Sequence, residues 1–351
     1  MPVNVATTRL DVDEKTPPMV ADEAAQVMLL YAASSKDLGD HRVEQAGSDI
    51  VFGSLTDRIG TAVRPDGGWW VSNAGWVIGD HTTLAIDTFA SESRVGELLT
   101  ALHAAQRQAD RPNSALQLVL THAHGDHANG AGMFEAAGAT VFASAEAADE
   151  LLSLGIQTFP TLISPPSWGA VAPPSAVTPL TGTTVFDLGG VEAEVTVLPS
   201  AAHTAGDVLV RLPAEGVLFA GDMVWGQVTP LAAVGSVTGW LAQMDTIARW
   251  PLTTVVPGHG NIGGAELIDS TRRYLDWIVT LAAEVLAGRP LDPAAIRARR
   301  ATQEWRNWGC PERDVVNIPR AVADLSGDSF SLPAGLAALK DEYGGLLVLE
   351  P

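Results

Sequence analysis

The chain has 351 residues, 46% hydrophobic and 18% charged, a balance that buries a sizeable core in one large domain with appendages or in two, and excludes an extended disordered chain. Lys and Arg total 21 against 41 Asp and Glu, and the formal net charge of −20 repels polyanions, so nucleic acid is excluded as a partner. A single cysteine, Cys310, rules out an intrachain disulfide, and the longest early apolar stretch, residues 27–33, is too short to span a bilayer; no membrane partner and a cytoplasmic location are expected.

Residues 1–47 combine a polar start, a break at Pro17-Pro18 and a helix-like stretch over 21–33, and read as an N-terminal arm. Over 50–88, β-branched and aromatic residues are broken by Pro65-Asp66-Gly67-Gly68 and by Gly79-Asp80, which predicts two or three antiparallel strands. Helices are then expected at 93–107, 130–137 and 145–154, with strands at 117–121 and 140–143. Residues 160–179 hold Pro160, Pro165, Pro166, Pro173, Pro174, Pro179 and Trp168, a run hostile to helix and central strand that reads as a substrate-facing flap with Trp168 as an apolar wall. Strands follow at 184–187, 192–198, 208–212, 217–220 and 253–257, with a helix at 237–248. The C-terminal part begins with a helix-like run to 286, stops at Gly288-Arg289-Pro290 and resumes near 293–303 before the segment 311–317. This organisation gives an arm (1–47), a main domain (48–265) and a C-terminal helical cap or extension (266–351). Strands in blocks with helices outside suggest an α/β architecture of two mixed sheets packed face to face, helices covering both outer faces.

The chemistry-bearing residues fall between these elements. Residues 121–130 read Thr-His-Ala-His-Gly-Asp-His-Ala-Asn-Gly, which places His122, His124, Asp126 and His127 directly after an apolar run. Imidazole and carboxylate together suit zinc or iron(II), and ligands that converge from both sides of a short turn sit more easily on a loop than on a helix. His203 in His-Thr-Ala-Gly-Asp, Asp222 in Leu-Phe-Ala-Gly-Asp and His259 in Val-Val-Pro-Gly-His-Gly each end a strand-like run beside glycine, where tight loops bring distant residues together. Of eight histidines, only His41, His81 and His103 lie outside these motifs. Asp222 also reads as a turn residue after Gly221, and Asp87 as a strand end or helix cap.

The order His-x-His-x-Asp-His, then His, Asp and His, resembles the metallo-β-lactamase superfamily, its glyoxalase II-like members in particular, over roughly residues 50–262. The resemblance implies a four-layer αββα sandwich of two mixed β-sheets flanked by helices, with the site along one edge. It implies one metal on His122, His124 and His203, a second on Asp126, His127 and His259, and Asp222 bridging both. Asp87 matches an early aspartate of the family whose implied role is a hydrogen bond that orients the metal loop. The implied cofactors are two divalent metal ions, zinc first and iron or manganese as alternatives.

The same residues read physically agree. Two divalent cations a few ångströms apart share a water, lower its pKa from about 16 toward about 7 and stabilise the oxyanion that forms. The expected activity is therefore that of a dinuclear metal-dependent hydrolase that uses a metal-bridging hydroxide on an ester, thioester or lactone of a small, partly apolar organic substrate. Asp126 is a ligand that also serves as a candidate proton acceptor. Pocket candidates are Trp225, three residues after Asp222, together with Trp168, Arg313 and Asn317, whereas Trp240, Trp250 and Trp277 read as helix packing. Two alternatives stand beside this reading. One is a mononuclear iron persulfide dioxygenase-like oxidoreductase of the same fold, which the chain resembles at His122, His124 and His203; the other is a non-catalytic, metal-braced binding protein. A small molecule is the expected partner, and a homo-oligomer is left open.

Overall fold

The computed structural model describes residues 8–9, 50–65, 67–157, 162–163 and 168–347. The helix-like stretch 21–33, Asp66, Pro160, Pro165 and Pro166 lie outside the described residues.

Apolar residues on both faces of most strands dictate burial on both sides, and two mixed sheets stacked face to face provide it. The strands in chain order are β1 (Thr8–Arg9), β2 (Val51–Ser54), β3 (Ile59–Val63), β4 (Ala74–Ile78), β5 (Thr82–Ile86), β6 (Ala115–Val119), β7 (Thr140–Ser144) and β8 (Thr178–Leu180), then β9 (Thr183–Asp187), β10 (Glu192–Val197), β11 (Val208–Leu212), β12 (Val217–Phe219), β13 (Trp225–Gly226), β14 (Thr254–Val256) and β15 (His259–Gly260). The first sheet runs in sequence order from β2 to β8, antiparallel up to β5 and parallel beyond it. The second is ordered β1-β9-β10-β11-β12-β14, with antiparallel pairs in its middle and parallel pairs at both ends. A small parallel pair, β13 with β15, sets Trp225 opposite His259.

Residues 50–88 form four strands, where two or three were expected. The missed boundary is the tight turn between β2 and β3, closed by Leu55 N donating to Ile59 O at 2.8 Å. It is built from Thr, Asp and Arg, without the Gly or Pro that would mark it in a sequence.

Three apolar clusters match the four layers. Between the sheets, Ile59, Val77, Leu84 and Ile86 meet Phe186, Val195, Val210 and Phe219. Outside the first sheet, Trp76 and Leu118 pack with Leu98 and Leu102 of α1 (Glu92–Gln108), Phe134 of α3 (Ala131–Ala136) and Leu151 of α4 (Ala145–Leu154), the single turn α2 (Gly125–Ala128) lying between α1 and α3 in the chain. Outside the second sheet, Leu209, Leu218 and Val255 pack with Trp240 of α5 (Val237–Ile247) and Leu275 of α6 (Glu266–Leu286). The same cluster takes in Ile296 of α7 (Pro293–Arg300), Val316 of α8 (Asp314–Ser326) and Leu339 of α9 (Leu332–Tyr343). The layers are therefore helix, sheet, sheet, helix, the αββα sandwich.

Helix α9 begins where Ser331 accepts a hydrogen bond from Ala334 N and a proline occupies the first turn, ordinary start signals that lie beyond the last sequence segment assigned above. No described helix is long and apolar enough to cross a membrane. The segments that follow β5, β6, β10, β12 and β14 converge at one edge of the sandwich, and they carry Asp87, the histidine-rich motif, His203, Asp222 and His259.

Candidate metal centre

The histidine-rich motif was expected on an open loop; instead residues Gly125–Ala128 close into one helical turn, with His127 N and Ala128 N both donating to His124 O at 2.9 and 3.0 Å. That turn divides the motif. His122 and His124 precede it, while Asp126 and His127 lie within it, so the four side chains separate into two groups.

In the first group, His122 Nε2 and His203 Nε2 each lie 3.0 Å from His124 Nδ1, and Asp222 Oδ2 lies 3.2 Å from His203 Nε2 and 4.0 Å from His122 Nε2. In the second, Asp126 Oδ2 lies 3.2 Å from His259 Nε2 and 3.9 Å from His127 Nε2. Asp222 reaches this group with its other oxygen: Oδ1 is 3.1 Å from His127 Nε2 and 3.4 Å from His259 Nε2. One carboxylate thus turns an oxygen toward each group. Gly258 makes this approach feasible, since a Cβ there would stand 1.9 Å from Asp222 Oδ1.

The donors fit divalent metal ions. Ligand bonds of about 2.05 Å at tetrahedral angles put donor atoms about 3.3 Å apart, the middle of the spacings found here. His127 Nε2 and Asp222 Oδ1 are buried without a hydrogen-bond partner, although they face each other. Behind the cradle, the far nitrogens of the rings are occupied. His203 Nδ1 donates to Leu231 O at 2.9 Å and His259 Nδ1 to Gly67 O at 3.1 Å; a carbonyl only accepts, so both Nε2 atoms present a lone pair to the centre. His122 Nδ1 lies 3.1 Å from Thr121 Oγ1.

Asp87 supports the second group. Its carboxylate accepts from Thr121 N and Thr121 Oγ1, both at 2.7 Å, and from His127 Nδ1 at 2.8 Å, with its own backbone held at φ +58°. Asp207, which the sequence reading treated only as the end of the His203 motif, folds that turn by accepting from Thr204 N at 2.9 Å and Thr204 Oγ1 at 2.7 Å. Burial pushes the Asp207 carboxyl up to about 6, against those hydrogen bonds.

Burial, with His127 and His124 nearby, holds the His122 imidazole well below its ordinary range, and burial brings His203 down to about 3, so both are neutral and ready to ligate. His127 and His259 go the other way. Burial opposes their charge, but the carboxylates around them, Asp222 foremost, outweigh it and raise both. Metal must therefore displace protons from these two rings. Apparent metal affinity is expected to fall as pH drops through the raised range of these two imidazoles, with proton release growing as it falls; calorimetric titration in buffers of unlike ionisation heat measures it, and a pH-independent affinity contradicts the assignment.

Above the centre lies an open cleft, about 610 Å³ when the solvent space at its opening is counted. Trp225 is part of its wall and of the scaffold at once: its ring stacks on His259 at 4.5 Å and 4°, and its Nε1 donates to Asp222 O at 2.6 Å. Arg313 also lines the cleft. Trp168 does not reach the wall. Glu92 N donates to the Trp168 carbonyl and the Glu92 carboxylate accepts from Ala170 N at 2.7 Å, which fasten this strip beside α1, and the Trp168 ring backs Trp70, the tryptophan that does line the cleft.

Asn317 is likewise no pocket residue. It is fully buried, donating to Pro230 O and Tyr274 OH, each at 2.7 Å, and accepting from Ala232 N at 2.8 Å, and so it holds the loop whose Leu231 carbonyl meets His203. The sequence reading missed Trp69, Trp70, Leu162, Leu231, Leu332 and Leu336 as lining residues. Only the Trp69-Trp70 pair beside a glycine turn carried a signal; the leucines look like any core residue until the fold brings them round.

Residues 67–259 match the family model described as the metallo-beta-lactamase superfamily. A metallo-beta-lactamase type 2 of Bacteroides fragilis is 27% identical over 241 residues, 65% of this chain and 86% of that protein. An acyl-coenzyme A thioesterase MBLAC2 of Bos taurus is 27% identical over 207 residues, 54% of this chain and 74% of that protein. Among solved structures, a metallo-beta-lactamase from Pontibacter korlensis superposes with a TM-score of 0.53 at 22% identity, covering 65% of this chain and 99% of that one. The TMB-1 structure gives 0.52 at 20% identity, covering 66% and 98%.

Proposed function

The chain belongs to the metallo-β-lactamase superfamily, and from that premise we propose that it is a two-metal hydrolase of an ester, thioester or lactone bond in a small, partly apolar substrate. The observation that carries the reading is Asp222, whose two carboxylate oxygens face two separate groups of imidazole and carboxylate donors. His122, His124 and His203 would hold one ion; Asp126, His127 and His259 the other. A divalent pair bound there supplies an acidified water and a counter-charge for an oxyanion.

The chain's own residues set the conditions for that chemistry. The carbonyls of Leu231 and Gly67 fix the tautomers of His203 and His259. Asp126 lines the cleft 3.2 Å from His259 Nε2; as a ligand its basicity would be reduced by the adjacent cation, so it would serve as proton acceptor only after the metal-bound hydroxide. Trp69, Trp70 and Trp225 with Leu162, Leu231 and Leu336 give the cleft a mainly apolar wall, which favours a carbon-rich substrate. The preference for an ester or thioester draws on that wall and on the thioesterase among the relatives.

A mononuclear iron oxidoreductase accounts for His122, His124 and His203 and leaves the second group without a role. A purely bracing metal accounts poorly for a centre that opens into a cleft, since structural sites are closed by four ligands. Metal analysis of the purified protein together with a screen of esters, thioesters and lactones tests the proposal. About two equivalents of metal and turnover of at least one class are expected; less than one equivalent with no turnover refutes it.

A further inference from the structure

A guanidinium stands in the cleft wall with no counter-charge among the described residues. Arg313 is 2% exposed, with its Cζ 4.2 Å from the ring centroid of Trp69 and 4.9 Å from that of Trp225. Its Nη1 donates to Thr229 O at 2.8 Å, and its buried Nε has no hydrogen-bond partner. Among the described residues no carboxylate pairs with it. Glu312, its chain neighbour, accepts instead from Trp69 Nε1 at 2.6 Å, and Asp314 is paired with Arg300 at 2.9 Å.

A cation taken out of water is costly unless something answers its charge, and two indole faces answer it only in part. A structural arginine is normally tied off by a carboxylate, as Arg300 is here. Arg313 differs in lying on the cleft, where it is the one cationic side chain besides the imidazoles among the described lining residues. Trp225 touches both Arg313 and His259, so the free charge sits one indole away from the metal ligands.

We propose that Arg313 receives a carboxylate of the substrate, which makes the substrate an anionic ester, thioester or lactone with an apolar portion between its carboxylate and the bond that is cut. A planar guanidinium offers paired N–H donors that match a carboxylate, and a single cation suits a monoanion better than a phosphate dianion. Leu231 and Leu336 line the same cleft and would flank the apolar portion. This inference deepens the hydrolase reading and rests on it for its kinetic test.

The test uses the full chain loaded with zinc(II) and a matched pair of esters, the mono-4-nitrophenyl ester of adipic acid and its methyl-capped diester. The wild-type protein is expected to favour the acid by at least about tenfold in kcat/KM. In Arg313→Met, the acid is expected to lose at least about tenfold while the capped diester changes by less than about threefold, and Arg313→Lys, which keeps the charge and loses the paired geometry, should fall between. Equal losses on both esters would show that the guanidinium merely braces Trp69 and Trp225, and would overturn the proposal, as would a wild-type preference for the capped ester. A variant that fails to fold leaves the wild-type preference and Arg313→Lys to decide. If the wild-type protein cleaves neither ester, the hydrolase reading fails, and calorimetric binding of hexanoate against hexanamide settles the anion site separately. Hexanoate should bind wild type at least about fivefold more tightly than Arg313→Met; equal binding overturns the site, because coordination to zinc alone would be the same in both proteins.

Discussion

Asp222→Ala is expected to abolish turnover, lowering kcat/KM by at least about 10³-fold, or about 4 kcal/mol of transition-state stabilisation, and to reduce bound metal below two equivalents. The magnitude follows from position. Asp222 is buried, its Oδ2 lies 3.2 Å from His203 Nε2 and its Oδ1 3.1 Å from His127 Nε2, so one truncation removes a donor from each group. It also removes the largest of the influences that raise His127 and His259 against burial. Asp222→Asn is the sharper control. The amide keeps the shape but carries a single acceptor oxygen, so one of the two groups must face an NH₂, and activity should fall nearly as far. Metal counting and thermal unfolding beside the kinetics separate the outcomes. A folded Asp222→Ala that still turns over defeats the two-metal reading; one that loses stability and metal yet retains the wild-type rate would mean that the ions only brace the fold.

Asp87→Asn is expected to weaken metal binding by about 10–100-fold and to destabilise the protein by about 1–3 kcal/mol, although Asp87 lies outside both donor groups. The three hydrogen bonds from Thr121 N, Thr121 Oγ1 and His127 Nδ1 all end on this one carboxylate, and an amide answers only part of that demand. Asparagine tolerates the positive φ of 58° that position 87 requires, so the substitution tests the charge and not the backbone. Metal titration and denaturant unfolding of the metal-free protein read the two effects independently. A variant with wild-type metal affinity would leave Asp87 as a backbone cap for the segment after β6 and nothing more.

Most of the sandwich was legible because the chain punctuates itself. Periodicity changes from two to three and a half near Thr88, and Gly or Pro marks most strand ends. The turn between β2 and β3 escaped because its residues are ordinary, and α9 escaped because its apolar positions look like those of any surface helix until Leu332 and Leu336 are seen lining the cleft. The donor side chains were legible for a chemical reason: imidazoles and carboxylates packed at glycine turns have few other uses. What held them was not. The Leu231 and Gly67 carbonyls that fix His203 and His259 belong to the backbone, and backbone has no residue signature. Pocket residues fared as their chemistry allows. Trp225 and Arg313 line the cleft, whereas Trp168, expected as the apolar wall of the proline-rich flap, and Asn317, expected from the 311–317 segment, are drawn elsewhere by hydrogen bonds to α1 and to the 230–232 loop.

That loop ties the end of the chain to its centre. Asn317 of α8 grips Pro230 O and Ala232 N, and the residue between them offers its carbonyl to His203. The seating of the last helices and the aim of a metal donor are thus two readings of one equilibrium. Anything that binds the assembled centre and not the opened chain lends its free energy to that seating, about 2.7 kcal/mol at a hundredfold excess over Kd. Through this loop, an ion bound at the centre would stabilise the C-terminal helices without touching any of their own side chains.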